Sequence, residues 1–137
     1  MTAGALVLSA DASYEDPEQH EPFRISKFYA TVDTRRIVDG FREVVGPVSI
    51  AVNGVERFHV GWEEWAITAR FDTKPYFEQV WQALLCHRSQ HAGFSKLLTL
   101  PREKLLDLFG EATLVRNYSL VNHSLNEEDL FEGIRTS

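Results

Sequence analysis

The segment His59-Val60-Gly61-Trp62-Glu63-Glu64-Trp65 packs two indoles, two carboxylates and an imidazole into seven residues beside a glycine bend. Such a set could furnish an aromatic wall, a carboxylate base and an imidazole relay. A carboxylate whose pKa is raised by apolar walls serves proton transfer. The plainer account puts Trp65 in the core, Glu63 and Glu64 on a solvated turn, and Trp62 over a sheet edge. Spacing identifies no further catalytic partner, so the plainer account carries more weight. If the segment is functional, an exposed Trp62 is more often an interface anchor than a catalytic wall.

Other reactive side chains are sparse. Cys86, His87 and His91 share one predicted helix, and a spacing of four places the two histidines on one face, as metal ligands require. Two histidines do not close a metal site. Cations near a helix end complement its dipole, and Cys86 follows the apolar pair Leu84 and Leu85, so no metal is assigned. The chain has no Gly-x-Ser-x-Gly elbow and no glycine-rich phosphate loop. Asn117, Tyr118 and His123 could line a pocket, yet ordinary strand composition explains them equally well. No cofactor is implied.

Charge narrows the partner classes. The 137 residues carry a formal charge of −6, and it is unevenly placed. Residues 1–23 hold five acids and no Lys or Arg, and residues 124–137 hold four acids against Arg135 alone. The stretch between has 13 basic and 11 acidic residues, a net of +2, so acidity belongs to the ends. Phosphate-backbone binding needs clustered Lys and Arg, and only Arg35, Arg36 and Arg42 cluster at all. Nucleic acid is therefore a disfavoured partner. No apolar run approaches the ~20 residues of a membrane span, and the N-terminus lacks a signal peptide's basic start. With Cys86 as the single cysteine, these features point to a cytoplasmic protein without a membrane partner.

The elements that must position these side chains follow from periodicity. Residues 1–22 read as a flexible acidic arm in which Ala5-Leu6-Val7-Leu8 could add an edge strand. Residues 23–137 read as a single α+β domain. Residues 24–32 are rich in β-formers, with Phe28, Ala30 and Val32 on one face. Asp33 or Thr34 caps a helix with Ile37, Val38, Phe41, Val44 and Val45 in one stripe, ended by Gly46-Pro47. Asn53-Gly54 is a strong hairpin signal. A two-residue turn there would mix polar and apolar residues on both faces. A three-residue loop or bulge would pair Val48 with Val60 and Ile50 with Phe58, and buried pattern sets register, so the longer loop is expected.

Trp65, Ile67, Ala69 and Phe71 alternate as a strand. Asp72 or Thr73 caps the strongest helix, from Phe77 to a stop near Gly93, with Pro75 in its first turn. Another helix buries Leu105, Leu106, Leu108 and Phe109 and stops at Gly110. A last strand spans 113–122, and Ser124 with Glu127 resembles a capping box opening a C-terminal helix. The architecture expected is a single-domain α+β sandwich with a mainly antiparallel sheet and helices packed on one face. If residues 61–71 continue the second hairpin strand and the helix at 101–109 is an insertion, the order becomes the ferredoxin-like β-α-β-β-α-β.

Two functions from different classes fit this reading. The first is a small acidic protein that binds another protein without catalysis, of inhibitor, immunity, adaptor or chaperone type, with His59, Trp62, Glu63, Glu64 and Tyr76 as binding residues. That comparison rests on size and charge. The second is a small-molecule-binding domain or small enzyme whose sheet/helix cavity uses His59 and Glu64. Homo-oligomerisation is compatible with both.

Overall fold

The structure is a computed structural model that describes residues 2–89 and 95–135. Its main sheet runs β1 (Lys27–Thr31), β5 (Glu111–Ser119), β4 (Ala69–Asp72), antiparallel throughout, so the α+β expectation holds. The nine-residue β5 is central because it is long enough to serve a partner on each side. The strand-forming run at 69–72 matches one of them, and Val32 extends the other by donating to the Thr113 carbonyl at 3.0 Å.

Helices α2 (Arg35–Val45), α3 (Phe77–Leu85) and α4 (Arg102–Phe109) supply most of the buried core, to which Ile67 and Leu97 add from outside these helices. Thr34 caps α2 by accepting from the Ile37 amide, and Gly46 ends it at φ 89°, a left-handed value that favours glycine. Gly40 lets α2 approach α4, since a Cβ there would lie 2.9 Å from Leu108 Cδ2. Phe41 meets Phe109 edge-on at 5.4 Å, Phe109 meets Trp81 at 6.3 Å, and Trp81 stacks on Phe77 at 6.2 Å. One chain of aromatic contacts thus joins the three helices. Such pairs contribute about 0.5–1.5 kcal/mol each beyond the area they bury.

The second sheet is a separate hairpin, β2 (Ser49–Val52) and β3 (Val55–Phe58). It corrects the register expected from pattern. Val52 pairs with Val55 and Ile50 with Arg57 across a two-residue turn, with Asn53 at φ 52° and Gly54 at φ 76°. All eight strand residues are exposed, so no buried face dictates register and the turn chemistry does. The ferredoxin-like order needs a four-stranded sheet, whereas the hairpin stays apart from these three strands.

Four further expectations are corrected. Residues 5–8 lie in a helix, α1 (Thr2–Ser9), because four apolar residues without a paired edge satisfy their backbone locally. The alternation from Trp65 to Phe71 does not begin as a strand. A 3-10 turn at Glu64–Ala66 breaks it, so that Ile67 is buried and Trp65 is not. The capping box at Ser124 does not form, because Ser124 bonds the Glu132 carboxylate and Glu127 is drawn elsewhere. The strongest helix also ends at Leu85, before the Gly93 stop, and Gly93 lies outside the described residues.

Glu127 sets how the C-terminal segment lies on the sheet. Its amide donates to the Thr68 carbonyl at 2.8 Å, and its fully buried carboxylate accepts from Lys27 Nζ, Tyr29 Oη (2.5 Å) and Arg116 Nη1 (2.9 Å). Burial pushes this carboxyl up, but the three donors outweigh it and hold its pKa at about 2, below the usual 4.5. Burial also pulls Lys27 down, and the Glu127 and Tyr29 bonds reverse that, leaving Lys27 above its ordinary value.

The N-terminal arm makes its hydrogen bonds within itself, while Ala3, Leu6, Val7 and Ala10 line a groove with Phe28, Asn117 and Tyr118 of the sheet. Phe23 donates to Ser9, and Asp16 binds the amide and ring of His20. Bonds to the sheet begin with Tyr118 Oη to the Ile25 carbonyl and the Leu120 amide to Ser26. Deleting residues 1–22 is therefore expected to change the free energy of denaturant unfolding by less than about 1 kcal/mol. A loss of several kcal/mol would show that α1 belongs to the core.

Candidate interaction surface

Residues 59–65 are fastened to the start of α2 by their backbone. His59 extends the hairpin ladder by donating to the Val48 carbonyl at 2.9 Å. The Trp62 amide then donates to Asp33 at 2.8 Å, and the Trp62 carbonyl accepts from the Arg35 amide at 3.1 Å. The second bond satisfies one of the orphan amides of the first turn of α2. Gly61 makes this approach feasible, since a Cβ there would sit 2.4 Å from the Arg35 nitrogen. Gly61→Ala must push main chain apart, and a loss of about 1–3 kcal/mol in denaturant unfolding is expected.

Two side-chain contacts reinforce the attachment. His59 Nε2 lies 3.4 Å from Asp33 Oδ2, and Arg35 Nη2 lies 2.6 Å from Glu63 Oε1. Both pairs are about half exposed, so their energetic worth is small and their effect is to orient the chain. Glu64 joins a different group, bonding Arg70, which also contacts Glu111 at 3.0 Å. The two acids of the segment thus serve two anchors, the start of α2 and the face of β4.

Beside its exposed carboxylates the segment presents large apolar side chains outward. Trp65 is 86% exposed and Trp62 46%, and Phe58 and Val60 are exposed beside them in sequence. Trp65 therefore is not a core residue, which corrects the plainer account of the segment. Tyr76 is also exposed, on the separate 3-10 turn Lys74–Tyr76.

A cavity of about 140 Å³ lies between α2 and the hairpin, lined by Val38, Phe41, Phe58, Asp33 and His59 among others. Glu64 is not among its lining residues, so the cavity does not join the His59 and Glu64 pair singled out from sequence. Its polar lining is the His59 imidazole, the Asp33 carboxylate and the Arg42 guanidinium. Among the described residues no group of three His, Cys, Asp or Glu side chains could hold a metal ion. His87 Nδ1 lies 3.0 Å from the Ala83 carbonyl, Cys86 is exposed, and His91 lies outside the described residues. No helix among the described residues is long and apolar enough to cross a membrane.

Sequence reasoning found the exposed segment but missed what holds it. Asp33 was read only as a cap and Arg35 only as part of a basic cluster. Their partners lie more than 25 positions away in sequence, and no periodicity links a loop to a helix start. The Lys27, Tyr29, Arg116 and Glu127 group was missed for the same reason. Its one local signal was that Lys27 and Tyr29 must share the face opposite Phe28 and Ala30.

No family model, curated protein or solved structure matches the chain.

Proposed function

We propose that this protein acts by binding another protein through the surface formed by residues 58–65, with Trp65 and Trp62 as anchors. The observation that carries the reading is a tryptophan 86% exposed on a segment whose backbone is bonded to a helix start. An exposed indole on a rigid support loses little conformational entropy on binding and buries a large area, which is why tryptophan is enriched among interface hot spots. The partner chemistry that fits is an apolar pocket for an indole. Glu63 and Glu64 flank the indoles, and each is already paired, with Arg35 and Arg70 respectively. An inhibitor, immunity, adaptor or chaperone role is compatible with this surface.

The test is affinity capture from the cells that produce the protein. Wild type is expected to retain one partner in stoichiometric amount, and the Trp62→Ala/Trp65→Ala variant to lose it while Cys86→Ser does not. Equal recovery by wild type and the double variant would reject the surface as the binding site.

A further inference from the structure

Helix α1 and the main sheet face each other across a gap. Ala3, Leu6, Val7 and Ala10 are spaced three and four apart, so they form one apolar face along the helix and the turn that ends it. That face lines one wall of a groove of about 520 Å³, and the other wall is the cross-strand pair Phe28 and Tyr118 with Leu120 beside it. Val7 stays 70% exposed and Leu120 51%. Apolar faces this close are ordinarily packed to the density of an organic crystal, so a gap of this size leaves apolar surface unpartnered on both walls. An apolar cavity of about 150 Å³ takes one benzene ring, and by that measure the groove has room for an acyl chain of roughly a dozen carbons.

Charge specifies what the other end of such a ligand carries. Arg24 is the one charged side chain in the lining, and no ion pair or hydrogen bond engages its guanidinium among the described residues. Its backbone is fixed from both sides. The Phe23 amide donates to the Ser9 carbonyl at 2.6 Å, and the Ile25 carbonyl accepts from Tyr118 Oη at 2.9 Å. The second bond occupies the Tyr118 hydroxyl, while its ring lines the groove. Asp11, Asp16 and Glu21 of the arm line a separate hollow around Tyr14 and His20, so no carboxylate competes for Arg24 within the groove.

We propose that this groove binds one fatty acid, with the acyl chain between α1 and the Phe28 and Tyr118 pair and the carboxylate on the Arg24 guanidinium. A planar guanidinium matches a carboxylate with two parallel hydrogen bonds. None of residues 58–65 lines the groove, so this inference and the proposed protein-binding surface stand or fall separately.

The test is calorimetric titration of the full chain with octanoate, decanoate and dodecanoate, each below its micelle concentration. Wild type is expected to bind one molecule per chain, with affinity rising by up to about fourfold for each methylene added. Val7→Glu changes an exposed helix position and places a carboxylate in the groove, so it is expected to keep the circular dichroism of wild type and weaken binding at least tenfold. Arg24→Gln is expected to weaken decanoate about tenfold, the worth of one charge-assisted contact, and to leave decanol unchanged. Trp62→Ala/Trp65→Ala is expected to bind as wild type does. If Val7→Glu fails to fold, the chain-length series and Arg24→Gln decide. No saturable binding by wild type would overturn the proposal, as would an affinity that ignores chain length, survives a folded Val7→Glu or is indifferent to Arg24→Gln. A doubled chain mass by light scattering without fatty acid, returned to the single-chain mass by Val7→Glu, would also overturn it, because a second copy would then fill the groove.

Discussion

Replacing Glu127 by alanine is expected to cost about 3–5 kcal/mol of folding free energy, because it leaves the buried Lys27 and nearly buried Arg116 cations without their shared anion. The same change removes the acceptor for Tyr29 Oη and frees the segment that lies along β4. Glu127→Gln keeps the shape and an acceptor oxygen but not the charge, and should lose most of the same amount. Denaturant unfolding of both variants is the measurement. A loss below about 1 kcal/mol would mean that water reaches the cluster and screens it.

The pH dependence follows with a definite sign. Glu127 has a folded pKa of about 2 against 4.5 unfolded, so its contribution is fully present above about pH 4.5. It is lost as pH falls through 4.5 towards 2, because the unfolded chain takes up the proton first. Wild type should therefore lose stability across that window more steeply than Glu127→Gln, and the two curves should converge at its acidic end.

The second large effect concerns binding. Truncating Trp65 and Trp62 together is expected to weaken the partner complex by at least about 30-fold, the equivalent of about 2 kcal/mol for a tryptophan hot spot. Stability should change little for Trp65, which is 86% exposed and has almost no packing to lose. That split between affinity and stability separates an interface anchor from a misjudged core residue. Trp62→Ala keeps the backbone pairing to Asp33 and Arg35, since both bonds use main-chain atoms.

Helices and turns were legible in the sequence where a single local rule governs them. Thr34, the stripe from Ile37 to Val45 and Gly46 give α2 its start, face and end within about a dozen residues. Gly110 does the same for the end of α4. The hairpin shows what happens when two rules compete. Alternation favoured a longer loop only on the assumption of a buried face, and with both faces exposed Asn53-Gly54 decided the register. Ser124 and Glu127 have the spacing of a helix start, yet three donors on the sheet outbid one local amide for the carboxylate. Trp65 was placed inside because its neighbours alternate, and the 3-10 turn at 64–66 shifts the phase before Ile67.

A photo-reactive aromatic amino acid placed at position 65 in the producing cells shows whether residues 58–65 meet a protein partner. Irradiation is expected to give one discrete crosslinked species at 65, and none when the same group replaces Leu98, which is exposed elsewhere in the fold. The same pattern of products at both positions, or no product at position 65, would contradict that contact.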